Sequence, residues 1–122
     1  MRVKCIEIVD SRNRPAFGSP WLKLEAEYVV LSVAAHSKRP VELLLHHGGD
    51  DIGWWSAQSF VTVADNIPAN WTAVADHRGC SIGPGTWARD GFWERYFGGD
   101  KDAAVAFRTE LAIMVKEANR GR

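Results

Sequence analysis

The chain has 122 residues, a length typical of one domain, and its 46% apolar and 25% charged residues argue against disorder. Fifteen Lys and Arg balance fifteen Asp and Glu, which removes the basic surplus that nucleic-acid binders use to neutralise phosphates. No apolar run approaches the roughly 20 residues of a membrane span. Met1–Asn13 also lacks the apolar core of a secretory signal. We therefore expect a cytoplasmic protein with one domain, residues 1–122, that contacts neither nucleic acid nor membrane directly.

The first two thirds of the chain predict short strands. Arg2–Val9 alternates, with Val3 and Cys5 on one face and Ile6 and Ile8 on the other, and Asp10–Pro20 is rich in loop-forming residues. The other strand candidates are Trp21–Leu24, Glu27–Ala34, Val41–His46, Phe60–Ala64, Trp71–Ala75 and Gly79–Ile82. The second and third of these are expected to pair as a hairpin. Five or six strands at this spacing predict a small antiparallel barrel over residues 1–82, because closure removes exposed edges.

The last third changes to a helical period. Phe92 and Tyr96, and likewise Trp93 and Phe97, are four residues apart, which predicts one short helix. Asp100 is then a good N-cap for a longer helix from Lys101 to about Asn119. Its apolar stripe is predicted to comprise Ala104, Phe107, Leu111, Met114, Val115 and Ala118. The expected fold is therefore α+β, a barrel followed by a helical part, residues 86–122, packed on it.

No motif for catalysis or metal binding stands out. His46, His47, Asp50 and Asp51 are possible ligands, but adjacent histidines on a strand point to opposite faces and no further ligand follows at a recognised spacing. His77 lies three residues from Cys80 without an identifiable orienting group. We predict no catalytic residue, no metal and no cofactor.

The two cysteines, Cys5 and Cys80, are expected to be reduced because the sequence predicts an intracellular protein. Cys5 belongs to the alternating pattern of the first strand and is predicted to be a small buried apolar side chain.

Charge is unevenly distributed. Residues 1–40 have a formal net charge of +3. Residues 41–102 contain four Lys or Arg and nine Asp or Glu, so their formal net charge is −5. Six Trp residues are also an unusual number for this length, and Trp is enriched at protein interfaces. Trp54 and Trp55 directly follow the acidic pair Asp50–Asp51, and neighbours on a strand point to opposite faces. One indole is therefore expected in the core and the other on an acidic surface.

Several segments together resemble a known class of proteins. Ser19–Leu22 and Glu27–Val33 resemble the opening of SH3-like small barrels. Ile67–Trp71 and Gly91–Asp100 resemble segments of small bacterial immunity proteins of contact-dependent growth-inhibition and other polymorphic toxin systems. The resemblance implies an SH3-like barrel and a binding role, and it implies no catalytic residue. The basic first third departs from the uniformly acidic surface of many such inhibitors.

These observations predict an immunity protein that neutralises a cognate toxin, expected to be a basic nuclease domain. An acidic, aromatic surface would be steered to a basic cleft by electrostatics and retained by its indoles. The predicted contact residues are Asp50, Asp51, Trp54, Trp55, Asp76, His77, Asp90 and Glu94. Two alternatives remain. The chain could be an SH3-like adaptor that binds a peptide in an aromatic groove, or an enzyme or metal protein in which His46, His47 and His77 converge.

Overall fold

The computed structural model describes residues 1–9 and 20–120. Within these ranges the chain is α+β, as predicted, with seven strands in one antiparallel sheet, one 3-10 turn at Ala57–Ser59 and two helices. The strands are β1 (Arg2–Cys5), β2 (Glu27–His36), β3 (Glu42–His46), β4 (Ile52–Ser56), β5 (Phe60–Ala64), β6 (Trp71–Asp76) and β7 (Gly79–Pro84). The helices are α1 (Phe92–Phe97) and α2 (Lys101–Ala118).

Strand β2 pairs with three other strands of the sheet. The main path runs β4–β3–β2–β1–β5, and β6 joins it through β7, which also pairs with β2. Glu27–Val29 pairs with β1, whereas Val33–His36 pairs with β7. Because β2 has ten residues, it is long enough to pair with β1 and β7 and also with β3. The predicted β2–β3 hairpin is confirmed by the pairing of Val33 with Leu43.

The strand predictions were wrong in three places. Strand β1 ends at Cys5, so the predicted alternation stops there, with Ile6 exposed and Ile8 buried. Trp21–Leu24 forms no strand, although Leu22 is buried. Conversely, Ile52–Ser56 is a strand that is not among those predicted, because Gly53 and two adjacent indoles obscure its alternation. The predicted loop Asp10–Pro20 lies outside the described residues apart from Pro20.

Two clusters of buried side chains cover opposite faces of the central strands. Leu43 and Leu45 of β3 join a cluster with Val3, Cys5 and Phe60. Leu44, which points the other way, joins a second cluster formed mainly with the helices, comprising Leu31, Trp87, Phe92, Ala103, Phe107, Leu111 and Met114. The alternation of a strand accounts for this division. Strand β3 is therefore buried on both faces.

Helix α2 forms as the sequence predicts. The carboxylate of Asp100 accepts a hydrogen bond of 3.0 Å from the backbone N–H of Ala103, which caps the helix. Its buried residues are Ala103, Phe107, Leu111, Met114 and Ala118, so Ala103 takes the core position predicted for Ala104. Within the described part of the chain, neither helix has the length and apolarity needed to cross a bilayer.

Candidate protein-binding site

An acidic turn connects β3 to β4. The backbone N–H of Asp51 donates to the carbonyl of Gly48, and that of His47 donates to the carbonyl of Asp51, each at 2.9 Å. Gly48 and Gly49 have φ angles of 102° and 54°, and the left-handed region explains why glycines occupy the turn. The result is that Asp50 and Asp51 are both exposed at its tip.

An apolar groove lies beside this turn, between the sheet and α1. Trp54 pairs with Leu44 across β3 and β4 and lies on the helix-facing side of the sheet. Two adjoining hollows, of about 170 and 220 Å³, share Leu44, Trp54 and Trp93. The first also includes Phe97, and the second continues towards Val74 of β6. We call this feature, defined by Leu44, Trp54, Val74, Trp93 and Phe97, the aromatic groove.

The groove is open because the helices do not cover its rim. Phe97 is 73% exposed and Trp54 is 44% exposed. At about 100° per residue, the aromatic side chains of α1 spread over an arc of about 140° around the helix axis. Phe92 and Phe97 lie at the two ends of this arc, so the surface that buries Phe92 leaves Phe97 exposed. The contact residues predicted from the sequence do not include Trp93 and Phe97, although both lie in the segment predicted to form a short helix. The width of the arc is the signal that could have found them.

The acidic turn also contacts the helical part. The guanidinium Nε of Arg108 lies 3.5 Å from Oδ2 of Asp50. The pKa of the Tyr96 hydroxyl is raised by burial and then by the negative charge of Asp50, with a smaller rise from Asp51 and an opposing effect of Arg108. Asp51 makes no ion pair within the described residues. Asp51 is therefore the less compensated of the two carboxylates in the acidic turn.

Trp55 lies on the other face of the sheet. Its indole Nε1 donates a hydrogen bond of 2.8 Å to Nε2 of His47, and the half-buried ring packs against the cluster of Leu43 and Leu45. The expectation that the two adjacent indoles point in opposite directions is thereby confirmed. Trp54 supplies the exposed aromatic surface, and Trp55 supplies a partly buried one.

The other residues predicted to contact a partner are more dispersed. Glu94 is exposed on α1, one residue after Trp93, and Asp90 is exposed in the turn that precedes this helix. Asp76 lies at the β6–β7 turn, where the backbone N–H of Arg78 donates to its Oδ1 at 2.8 Å and the guanidinium of Arg78 donates to its Oδ2 at 3.2 Å; these hydrogen bonds lower the pKa of Asp76. His77 is exposed in the same turn. Asp76 lines a different cavity, together with His36, Arg39, Arg78 and Cys80.

Residues 1–9 and 20–120 contain no group of three or more His, Cys, Asp or Glu that could hold a metal ion. His46 instead places Nε2 2.9 Å from the carbonyl oxygen of Gly49, within its own turn. Both cysteines are free thiols: Cys5 is buried, as predicted, and Cys80 is exposed. Burial raises the pKa of the Cys5 thiol.

Comparison with known proteins identifies no relative. No family model matches the chain, and neither a curated protein nor a solved structure matches it.

Proposed function

We propose that this chain is an immunity protein that binds and neutralises a cognate toxin through the acidic turn and the aromatic groove. The observation that carries the proposal is the position of Asp50 and Asp51 beside an open groove lined by Trp54, Trp93 and Phe97. Interfaces typically combine aromatic anchors at the centre with charges at the rim. The resemblance of Gly91–Asp100 to immunity proteins falls on the helix that forms one wall of this groove.

The proposed partner is a basic, folded toxin domain, with a nuclease as the preferred class. A nuclease cleft must attract phosphates and is therefore positively charged, so the carboxylates of the acidic turn would accelerate its encounter with this surface. The aromatic side chains would slow dissociation once they are desolvated. This interface includes fewer residues than the set predicted from the sequence, since Asp76 lines another cavity and His77 lies beside it in the β6–β7 turn. We expect it to bury on the order of 1,600 Å² in total.

An SH3-like barrel is the architecture that we propose for the strand-rich part. Strands β4 and β5 lie at opposite ends of the path β4–β3–β2–β1–β5, yet only Ala57–Ser59 connects them. In a flat sheet the two strands would be about 19 Å apart, at about 4.8 Å per strand. A 3-10 turn advances only about 2 Å per residue. Such a short link supports a sheet that curls until its ends approach each other.

A peptide-binding adaptor is the second candidate. The observation in its favour is the shape of the aromatic groove, which continues from Phe97 past Trp54 to Val74 as a trough between sheet and helix. A trough of this form suits an extended or helical segment. The two functions differ in the ligand that they require. An adaptor binds an isolated short peptide, whereas an immunity protein binds the folded toxin domain.

The test is whether the chain binds the polypeptide encoded directly beside its gene, and whether it protects cells from that polypeptide. We expect co-expression of the chain to restore growth to cells that produce this polypeptide, and the purified proteins to form a complex. A W54A/F97A double variant should bind at least about tenfold more weakly. Ile67→Ala is the matched control, since Ile67 is 70% exposed but lies outside the groove.

The proposal fails if the wild-type chain neither protects the cells nor binds this polypeptide. It also fails in its structural part if the double variant keeps full affinity while remaining folded. A short unfolded fragment of the neighbour that binds as tightly as the folded domain would instead favour the adaptor.

A further inference from the structure

A second cavity lies on the other side of the acidic turn from the aromatic groove. It has a volume of about 250 Å³ and is lined by Trp21, His47, Asp51, Ile52, Gly53 and Trp55. Three of these residues are aromatic rings and one is an exposed carboxylate. We call this cavity the indole notch.

Two of the three rings of the notch, those of His47 and Trp55, are held in place by their neighbours. The hydrogen bond from Trp55 fixes the imidazole of His47, whose ring also meets that of Tyr28 edge to face at 5.6 Å. The hydroxyl oxygen of Tyr28 accepts a hydrogen bond of 2.9 Å from the backbone N–H of Lys23, two residues after Trp21. A ligand would therefore meet an arrangement that is already ordered, which reduces the entropic cost of binding.

Gly53 keeps the floor of the notch open. A Cβ atom at this position would lie 3.1 Å from Nε1 of Trp55 and 3.2 Å from Nε2 of His47. Both distances are tighter than ordinary contacts, so any side chain would press on the hydrogen bond between the two rings. The glycine at this position of β4 thus preserves both the space and the ring geometry.

The electrostatics of the notch favour a cation. The faces of indole rings carry negative potential, and the carboxylate of Asp51 adds a formal charge. Among the lining residues within 1–9 and 20–120, none is a Lys or Arg. His47 does not supply a positive charge either, because its Nε2 accepts the hydrogen bond from Trp55 and burial lowers its pKa.

We propose that the indole notch binds the guanidinium group of one arginine side chain from a protein partner. A guanidinium is planar and stacks on an indole, while its forked N–H groups suit a carboxylate such as that of Asp51. A lysine ammonium is more strongly hydrated and has no plane to stack. The inference goes beyond the proposed function, because it holds for any arginine-bearing protein and can be tested without the toxin.

The test uses N-acetyl-L-arginine amide, which mimics one arginine within a chain. Binding is followed by the indole N–H signals of the full-length protein in ¹H–¹⁵N NMR spectra, assigned with Trp→Phe variants. We expect saturable shifts of the Trp55 and Trp21 signals with a Kd of roughly 1–50 mM, since a cation–π contact and one exposed ion pair are weak. The Trp54 signal, on the other face, should not follow this saturation.

Neutral and alternative ligands test the chemistry. N-acetyl-L-citrulline amide has nearly the same shape without the charge and should give no saturable shift. N-acetyl-L-lysine amide should bind at least about threefold more weakly. Free L-arginine should not bind more tightly than the blocked residue, because the proposed site recognises only the side chain.

Two variants test the location. Asp51→Asn should weaken binding of the arginine mimic at least about threefold, because it removes the carboxylate. Asp65→Asn, a matched change at an exposed carboxylate after β5, should leave the affinity unchanged. Trp21→Ala removes one wall and should abolish saturation, and the same spectra show whether the variant is folded.

The proposal is overturned by equal shifts with the citrulline derivative or by the absence of saturation with the arginine derivative. Tighter binding of the lysine derivative would mean an ammonium site, and tighter binding of free L-arginine would mean an amino-acid site. A titration unchanged by Trp21→Ala and Asp51→Asn would place the binding elsewhere.

Discussion

The indole N–H of Trp55 donates a hydrogen bond of 2.8 Å to Nε2 of His47, so the imidazole of His47 is held in its neutral form with the proton on Nδ1. Protonation of Nε2 would replace this acceptor with a donor. The pKa of His47 is correspondingly below its ordinary value, first because of burial and then because of His46, while Asp51 acts in the opposite direction.

This relationship predicts a pH dependence of stability. The unfolded chain binds a proton at His47 more readily than the folded chain, so the free energy of unfolding falls as pH decreases from about 6.5 towards the lower pKa of the folded state. We expect urea midpoints to decrease between pH 7.5 and pH 5.5, and His47→Gln to reduce that decrease. His36→Gln, at an exposed histidine of β2, is the control for removing a histidine. An identical pH dependence in His47→Gln and wild type would contradict the assignment.

The helical part is predicted to be essential for folding. Phe107 is fully buried, and its ring stacks on Tyr96 at 4.4 Å and on Trp87 at 5.1 Å. Phe107→Ala should lower the free energy of unfolding by about 3–5 kcal/mol, as measured by urea denaturation. Val105→Ala on the exposed side of the same helix, where Val105 is 62% exposed, should change it by less than about 0.5 kcal/mol. Similar effects of the two substitutions would mean that α2 is not packed as described.

The two thiols are predicted to differ in reactivity. Cys80 is exposed, whereas Cys5 is fully buried with a raised pKa, which keeps it as the unreactive thiol. A colorimetric disulfide reagent should therefore modify one thiol in the native protein and both in denaturant. Cys80→Ser should leave no rapidly reacting thiol in the native state. Rapid modification of Cys5 in that variant would show that β1 opens readily.

Electrostatic steering is predicted in the proposed complex with the neighbouring gene product. The association rate should fall steeply as salt rises from about 50 to 500 mM, because screening weakens long-range attraction. Asp51→Asn should lower the rate at low salt by roughly twofold to fivefold and should change dissociation little. Asp65→Asn serves as the control at an exposed carboxylate outside the acidic turn. An association rate that ignores ionic strength would remove the electrostatic part of the proposal.

Local sequence accounts for much of the observed fold. Helix α2 follows from a capping aspartate and an apolar stripe, both of which lie within consecutive turns. The hairpin β2–β3 follows from two β-rich segments separated by a short turn, and the opposite directions of Trp54 and Trp55 follow from strand alternation. These features depend on neighbours in sequence, so the sequence by itself determined them.

Only the tertiary structure decided which of these surfaces stay open. The same α1 that buries Phe92 leaves Phe97 exposed, because α2 and the sheet cover one side of the helix and not the other. The indole notch likewise depends on Trp21 reaching His47 and Trp55 from a distant segment of the chain. Periodicity tells which residues share a face, whereas long-range packing determines which face remains uncovered, and that is why the two candidate sites emerge only from the folded chain.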